Sequence, residues 1–216
     1  MTRTTSTIQD PIAIIGAGDH AKVVVSTLGA RNIKPCAIFD DAAENNAFQI
    51  LGQTAQKIPT KQWWRETTPN PTGHIAIGNN QARLKLSQDI PAISWATIIH
   101  PTATIHESAK IGHGDFISAR AIIQPDAIIG DHTIINTGAI IEHDCKVGSF
   151  CHVAPSVTLC GNTHIAQGAM IGVGSVTIPN IKIGAWALVG AGSTIVRDVT
   201  KGATVFGNPA RHHRNS

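Results

Sequence analysis

The chain has 216 residues, of which 42% are hydrophobic, 14% charged and 4% aromatic, and its formal net charge is +3. This length accommodates one large domain or two small ones. The mild positive charge, without any run of Lys or Arg, argues against a nucleic-acid partner and suits an anionic small molecule such as a nucleotide or a phosphorylated cofactor.

The first residues hold no apolar stretch typical of a secretion signal, and no run of eighteen apolar residues occurs in the sequence. The four cysteines include no CxxC pair. Two of them, Cys145 and Cys151, fall on a register of small residues described below, which favours packing over metal or disulfide roles. We therefore expect a soluble, cytoplasmic protein without membrane insertion.

Residues 11–41 have the layout of a nucleotide-binding βαβ unit. The pattern predicts, in order, a buried strand from Pro11 to Gly16, a helix from about Ala21 to Leu28 and a strand from Cys36 to Phe39. The sequence GAGDHA between the first strand and the helix has the form G-x-G-x-x-A. This motif alone is a weak signal, because a tight strand-to-helix turn without a ligand gives the same pattern.

Two sets of residues in this unit suit a nucleotide. Gly16 and Gly18, just before His20, let backbone N–H groups approach a phosphate at the start of the helix. Asp40 and Asp41 follow the second strand, where a carboxylate can accept hydrogen bonds from a ribose or a base.

Three further elements are predicted before the repeat that follows: a strand near Ile50, a strand from Ile75 to Ile77 and a helix from Gln81 to Ser87. The loop that begins at Gly78 and contains Asn79 lies at the carboxyl end of a strand, which is the edge where ligands bind in open α/β sheets. We expect residues 1–90 to form this small domain and residues 91–216 to form a second one, with residues 90–95 linking them.

From Ile99 to Ile195 every sixth residue is aliphatic, except Thr177. A helix cannot keep every sixth residue on one line, whereas stacked units of a short strand and a bend form a parallel β-helix. Small residues follow four positions after most of the aliphatic ones and can fill a narrow interior with them. Glycines spaced by multiples of eighteen, at positions 112, 130, 148 and 184, indicate three hexads per coil. The pattern predicts a triangular prism of a little under six coils.

The repeat contains one polar cluster, which consists of Asn136, Glu142, His143, Asp144 and His152. Because Ile141 is predicted to point inward, His143 should lie at a bend or on the outer surface. His152 follows half a coil later, so the two histidines should lie on different sides of one protomer. They could still meet across an interface between subunits.

Several segments together resemble one enzyme family. They are GAGDHAKVV, FDD, IGNN, NTGAIIEHDCKVGSFCHV and VFGNPA. They are similar to sugar acyltransferases that combine an N-terminal Rossmann-like nucleotide-sugar domain with a left-handed parallel β-helix, above all the bacterial UDP-4-amino-4,6-dideoxy-sugar N-acetyltransferases of bacillosamine-type pathways. The resemblance alone implies the left-handed coil, and it implies a homotrimer with active sites in the clefts between subunits.

The resemblance also implies roles for individual residues. It makes His143 the catalytic base and Asp144 its acidic neighbour, places Asn136 near the acceptor sugar, and makes His152 and Gly161 groups that meet acetyl-CoA, Gly161 as an oxyanion donor. The residues that match the acceptor-binding loops are Gly16, Gly18, His20, Asp40, Asp41 and Asn79.

We therefore expect an acetyl-CoA-dependent N-acetyltransferase that modifies the 4-amino group of a UDP-linked amino sugar for surface glycan biosynthesis, without a metal. A histidine can take the proton of the attacking amine, and a backbone N–H can stabilise the oxyanion. Three alternatives stay open at this point. They are O-acetylation of a sugar hydroxyl, a zinc-dependent CO₂ hydratase that uses His143, His152 and His164, and a binding protein without catalysis.

Overall fold

The computed structural model describes residues 12–40, 49–54, 72–90 and 93–213, so the predicted ligand residue Asp41 lies outside the described residues. The described residues form a small α/β domain followed by a parallel β-solenoid. Neither of the two helices in the described ranges has the length and apolarity needed to cross a bilayer.

The N-terminal domain is built on a four-stranded parallel sheet of order β2-β1-β5-β6. Its elements are β1 (Ile12–Ile15), α1 (Asp19–Gly29), β2 (Ala37–Phe39), β3 (Gln49–Ile50), β4 (Gln53–Thr54), β5 (Thr72–Ile75), α2 (Asn80–Asp89) and β6 (Ser94–Trp95). Strand β1 is buried over its whole length because it lies between two neighbours. The predicted βαβ unit is therefore present.

Two details of this sheet differ from the sequence prediction. Strand β5 covers Thr72–Ile75 rather than Ile75 to Ile77, because the buried polar residue His74 interrupts the apolar pattern and its Nδ1 bonds Ala96 O at 2.9 Å. The strand near Ile50 pairs with β4 in a separate hairpin. The fourth strand of the sheet is instead β6, which comes from the predicted linker.

The solenoid consists of short strands separated by turns. These strands are β7 (Ile98–Ile99), β8 (Thr104–Ile105), β9 (Phe116–Ile117), β10 (Ile122–Ile123), β11 (Ile128–Ile129), β12 (Ile134–Ile135), β13 (Ile140–Ile141), β14 (Lys146–Val147), β15 (His152–Val153), β16 (Thr158–Leu159), β17 (His164–Ile165), β18 (Met170–Ile171), β19 (Val176–Thr177), β20 (Lys182–Ile183), β21 (Leu188–Val189), β22 (Thr194–Ile195), β23 (Thr204–Phe206) and β24 (Arg211–His212).

These strands form three faces. The docked face contains β7, β9, β12, β15, β18, β21 and β23, all parallel, with β24 antiparallel at its end. The six-stranded face contains β8, β10, β13, β16, β19 and β22. The basic face contains β11, β14, β17 and β20.

The hexad register is confirmed. From Ile117 to Ile195 every predicted inward position is buried, Thr177 included. A Cβ added at Gly130 would lie only 2.6 Å from the backbone nitrogen of Ser149. This close approach agrees with the prediction that glycine is needed at this corner. The docked face nevertheless has seven parallel strands, more than the predicted coil count allows. The reason is that β23 continues the stack after the six-residue spacing ends at Ile195.

The turns explain how each hexad changes direction. A left-handed backbone recurs at intervals of six residues, as at Asp126 (φ 60), His132 (φ 53), Asp144 (φ 61) and Phe150 (φ 61). Non-glycine residues adopt this conformation at a cost, which the stacking of successive coils offsets. Polar residues of each turn are thereby placed on the outside at fixed positions.

The N-terminal domain packs on the docked face. Helix α1 shares a buried apolar cluster with Ile98, Phe116 and Ile134, which lie on the outer side of three successive strands of that face. Four histidines lie near the same junction, namely His20, His74, His132 and His152. Burial, together with the nearby positive charge of Arg83, lowers the pKa of His20 to about 3 and the pKa of the other three histidines to about 4.

We expect the protein to lose stability as the pH falls below about 6.5, the ordinary pKa of histidine. The four histidines stay neutral in the folded protein down to about pH 4, whereas in the unfolded chain they take up protons below pH 6.5. Their contribution is therefore complete above pH 6.5 and is lost toward pH 4. Thermal unfolding at pH 8, 6.5 and 5 should give falling Tm values, and a constant Tm between pH 8 and 5 would contradict this expectation.

A substitution at His132 can show how much of the pH dependence of Tm comes from this one histidine. The His132 ring is stacked on Phe150 with centroids 5.2 Å apart, and both residues have the left-handed backbone. Phenylalanine is thus compatible with position 132, and His132→Phe should make the dependence of Tm on pH shallower. The exposed His106→Phe is the matched control and should leave the dependence unchanged.

Candidate active site

His143 lies in the turn between β13 and β14, at the corner where the six-stranded face meets the basic face; we call this the His143 corner. Its Nδ1 is 2.8 Å from Asp144 Oδ2. In the single chain the two side chains are 61% and 59% exposed. The hydrogen bond to Asp144, together with the negative charges of Asp144 and Glu142, raises the pKa of His143. The bond occupies Nδ1 and leaves Nε2 as the nitrogen able to accept a proton.

Gly161 lies against the His143 ring, one coil further along the same corner. A Cβ added at Gly161 would lie 2.6 Å from His143 Cε1 and 2.7 Å from Nε2. The backbone N–H of Asn162 donates to the carbonyl oxygen of His143 at 3.0 Å. Position 161 therefore has no room for a side chain unless the imidazole moves, and the two predicted residues lie together.

Asn136 and His152 lie elsewhere, on the docked face and its edge. The N–H of Thr137 donates to Asn136 Oδ1 at 2.8 Å, so the amide nitrogen of Asn136 faces His152 Nε2 at 3.1 Å and donates to it. His152 then carries its hydrogen on Nδ1, on the side of the Gly78 carbonyl; burial lowers the pKa of this ring, and the Gly78 carbonyl offsets only part of that effect. In one protomer His152 is thus tied to the N-terminal domain, on a different side of the prism from His143 and Gly161.

The glycine turn has the expected backbone. Gly16 has φ +101, and a Cβ there would lie 2.7 Å from Ile77 Cγ1. Gly18 precedes α1, and open space lies where its Cβ would be, so a ligand can approach the backbone. Asp40 Oδ2 accepts the backbone N–H of Ala17 at 2.6 Å. One carboxylate oxygen of Asp40, the residue predicted to bind a ribose, therefore holds the glycine turn in place.

His20 and Asn79 border the same region. The His20 ring packs edge-on against Phe116 at 5.1 Å and lies 6.4 Å from the His152 ring, measured between centroids. Its buried Nε2 has no hydrogen-bond partner among the described residues. Asn79 caps α2, with its side-chain oxygen accepting the N–H of Ala82 at 2.9 Å. Asn79 thus shapes the predicted ligand loop through its helix cap.

Sequence reasoning missed a row of basic residues on the basic face. Lys146, His164 and Lys182 occupy equivalent positions on three successive strands, eighteen residues apart. They line a groove of about 430 Å³ whose far end includes Asp198. The eighteen-residue spacing of outward-facing basic residues was the signal that could have revealed this row.

The three histidines considered for a zinc hydratase lie on a corner and two different faces of the chain, because His143 is at the His143 corner, His152 on the docked face and His164 on the basic face. Within the described ranges, no group of three or more His, Cys, Asp or Glu residues could hold a metal ion.

Comparisons with known proteins identify both parts of the chain. A family model described as "PglD N-terminal domain" matches residues 11–90, and one described as "Bacterial transferase hexapeptide (six repeats)" matches residues 126–161. UDP-N-acetylbacillosamine N-acetyltransferase from Bacillus subtilis (strain 168) is 38% identical over 111 residues, which cover 50% of this chain and 51% of that protein. The match thus spans about half the length of that relative.

Solved structures extend the likeness to nearly the whole chain. A histidine-to-asparagine mutant of perosamine N-acetyltransferase from Caulobacter crescentus, in complex with CoA and GDP-perosamine, is 34% identical; the match covers 96% of this chain and 98% of that chain, with a TM-score of 0.89. The acetyltransferase domain of PglB from Neisseria gonorrhoeae FA1090, in complex with acetyl coenzyme A, is 32% identical; that match covers 94% of this chain and 98% of that chain, with a TM-score of 0.86.

Proposed function

Because the chain belongs to the family of hexapeptide-repeat nucleotide-sugar N-acetyltransferases, we propose that it transfers the acetyl group of acetyl-CoA to the 4-amino group of a UDP-linked 4-amino-4,6-dideoxy sugar, for surface glycan biosynthesis. The observation that carries this proposal is the imidazole of His143, oriented by Asp144 and lying against Gly161. Nucleotide sugars and acetyl-CoA are cytoplasmic metabolites, so we place the enzyme in the cytoplasm.

The His143 corner supports a mechanism without a metal. The amine attacks the thioester carbonyl, a C–N bond forms, and the carbonyl electrons move onto oxygen, where the N–H of Gly161 stabilises the charge. His143 Nε2 takes a proton from the nitrogen. The oxyanion then collapses, the C–S bond breaks, and the departing CoA thiolate receives the proton from His143. Asp144 holds the ring orientation throughout, through its bond to Nδ1.

The left hand of the coil is implied by the family resemblance alone, whereas the arrangement of the faces supports a homotrimer with active sites between subunits. In a triangular prism, the corner between two faces lies opposite the third face. The His143 corner therefore points away from the docked face, which carries the chain's own nucleotide domain. An acceptor held by that domain must reach His143 of a second copy. A monomeric mass in solution at full activity would contradict this proposal.

The groove on the basic face supports a binding site for acetyl-CoA that runs along the solenoid from the His143 corner. The groove lined by Lys146, His164 and Lys182 begins three residues after His143 and runs along the solenoid. Ammonium groups at this spacing suit the phosphates of CoA while its thioester lies at the His143 corner. On the docked face of a neighbouring copy, Asn136 would complete the site from the acceptor side, and His152 beside it would meet the acetyl-CoA.

A turnover screen tests the function. UDP- and GDP-linked 4-amino sugars, each beside its 4-hydroxyl analogue, are incubated with acetyl-CoA, and CoA release and the product mass are measured. We expect acetylation of the UDP-linked amine. Preferential turnover of the hydroxyl sugar would instead show an O-acetyltransferase, and CoA release with none of the sugars would contradict the proposal.

Replacing Asp144 by asparagine should move the acid side of the pH–rate profile to lower pH. His143 must be neutral to act as a base, and Asp144 raises its pKa, so the wild-type rate should rise with pH through a value above the ordinary 6.5 or so. Without the negative charge this pKa falls, and the rise occurs at lower pH with a lower maximum. The measurement is kcat/KM for the acceptor between pH 5.5 and 9.

Asp126→Asn is the matched control for this experiment. Asp126 occupies the equivalent position one coil earlier, is also exposed and has the same left-handed backbone. Protonation of the substrate amine affects all variants alike, so the difference between the two asparagine variants reports on His143. Identical acid limbs for Asp144→Asn and Asp126→Asn would show that Asp144 does not tune the base.

A further inference from the structure

Helix α2 is attached to the solenoid through a buried charge rather than an apolar stripe. Of its 10 residues, all within the described part of the chain, only Arg83 is buried, with 1% of its surface exposed. The helix directly follows the loop at Gly78 and Asn79, at the carboxyl end of β5. Whatever holds α2 therefore also holds this loop.

The Arg83 guanidinium joins two parts of the fold. On the solenoid side its acceptors are turn carbonyls at the corner between the basic and docked faces, which we call the docking corner: Nε donates to His132 O at 2.8 Å, and Nη2 donates to Phe150 O at 3.1 Å and Cys151 O at 3.0 Å. On the domain side Nη1 donates to Ile77 O at 2.8 Å and Gly78 O at 3.2 Å, and Nη2 donates to Asn80 Oδ1 at 2.9 Å.

Asn80 extends this attachment by one coil. Its side-chain nitrogen donates to the carbonyl oxygens of Gly168 at 3.1 Å and Ala169 at 3.2 Å. The loop is therefore fixed against the turns of three successive coils, at residues 132, 150 and 168. Sliding of the domain along the solenoid axis would break all of these bonds together, so they define the height of the loop on the prism.

The charge of Arg83 is part of the attachment. Burial lowers the pKa of Arg83 to about 10, which leaves the group protonated at neutral pH. Its acceptors among the described residues are carbonyl oxygens and one amide oxygen, spread around a planar fork that only arginine provides. A lysine would keep the charge but could not reach the loop and two coils at the same time.

We infer that Arg83 is a positioning residue of the acetyl transfer: it sets the height of the acceptor loop along the solenoid and hence the distance between the bound nucleotide sugar and the His143 corner. The inference rests on the proposed function. Loss of the fork should lower kcat and raise the KM of the nucleotide sugar, while acetyl-CoA, which binds at the His143 corner and the basic face, should bind with unchanged Kd.

The test compares Arg83→Lys and Arg83→Met with Arg31→Met in the full chain. Arg31 is a matched control because it also reaches the solenoid, through a single 3.4 Å contact from its Nη1 to Ile99 O. For Arg83→Lys we expect roughly a tenfold loss in kcat, because the reacting groups would be misplaced. We also expect a raised KM for the sugar and faster hydrogen–deuterium exchange in residues 76–90. Arg31→Met should retain wild-type values.

Three results would overturn the inference: unchanged kinetics in Arg83→Lys, a loss of acetyl-CoA binding equal to the loss of turnover, or a lower kcat with an unchanged sugar KM, which indicates a smaller fraction of folded enzyme. Should Arg83→Met fail to fold, Arg83→Lys and Asn80→Ala decide the matter. Hydrogen–deuterium exchange and acetyl-CoA binding need no turnover, so they show whether Arg83 holds the loop even if the acceptor class is wrong.

Discussion

Replacing His143 by alanine is expected to lower kcat by about 10²- to 10⁴-fold, the usual contribution of a positioned acid–base group. The variant loses the proton acceptor for the attacking amine, whereas the groove along Lys146, His164 and Lys182 stays intact. Because the His143 side chain is exposed in the chain, its removal leaves no cavity in the solenoid core. Steady-state kinetics and calorimetric titration with acetyl-CoA measure the two effects separately.

His106→Ala is the matched control for His143→Ala. His106 lies in the first turn of the same corner, is exposed, and also has its Nδ1 engaged, at 3.0 Å from Ser108 Oγ. It should keep wild-type kcat. Near-full activity of His143→Ala, or an equal loss in His106→Ala, would remove His143 from the role of base.

The solenoid could be predicted from the sequence because its physical rule is local. Each hexad must bury one residue at the same position, and this position is aliphatic from Ile99 to Ile195 except at Thr177. The N-terminal sheet obeys a less local rule. His74 is buried in β5 because its ring bonds Ala96, and β6 belongs to the sheet because of pairing with β5. Neither contact leaves a periodic signal, so the third strand was misplaced and the fourth was taken for a linker.

The same distinction applies to the candidate site. His143, Asp144 and Gly161 could be selected from the motif and its resemblance, and the eighteen-residue coil then brings residues 143 and 161 together. Arg83 could not be selected, because an arginine on a polar helix usually faces solvent. Its burial depends on carbonyls 49 to 68 residues away in sequence. Sequence patterns therefore do not reveal a charged residue that holds two domains together, whereas they do reveal residues that recur at the period of the coil.

Gly161→Ala should abolish most of the activity without destabilising the fold. The added methyl group would come within 2.6 Å of His143 Cε1, a distance that forces one group to move. The His143 side chain is exposed and can rotate outward, so the core need not adjust. That rotation breaks the bond to Asp144 and moves Nε2 away from the reacting amine. We expect a loss in kcat on the order of 10²-fold with a Tm within about 2 °C of wild type.

Two further glycine variants separate the causes of such a loss. At Gly29, the last residue of α1, a Cβ meets open space, so Gly29→Ala should leave activity unchanged and should not lower Tm. At Gly130 a Cβ would meet the rigid backbone of Ser149 at 2.6 Å, so Gly130→Ala should lower Tm. Gly161→Ala is distinguished by losing kcat while keeping Tm, because its steric conflict is with the movable ring of His143, the proposed base. A Gly161→Ala enzyme with wild-type kcat would show that the ring position beside residue 161 does not matter for catalysis, and one with a low Tm would show that the ring cannot rotate away.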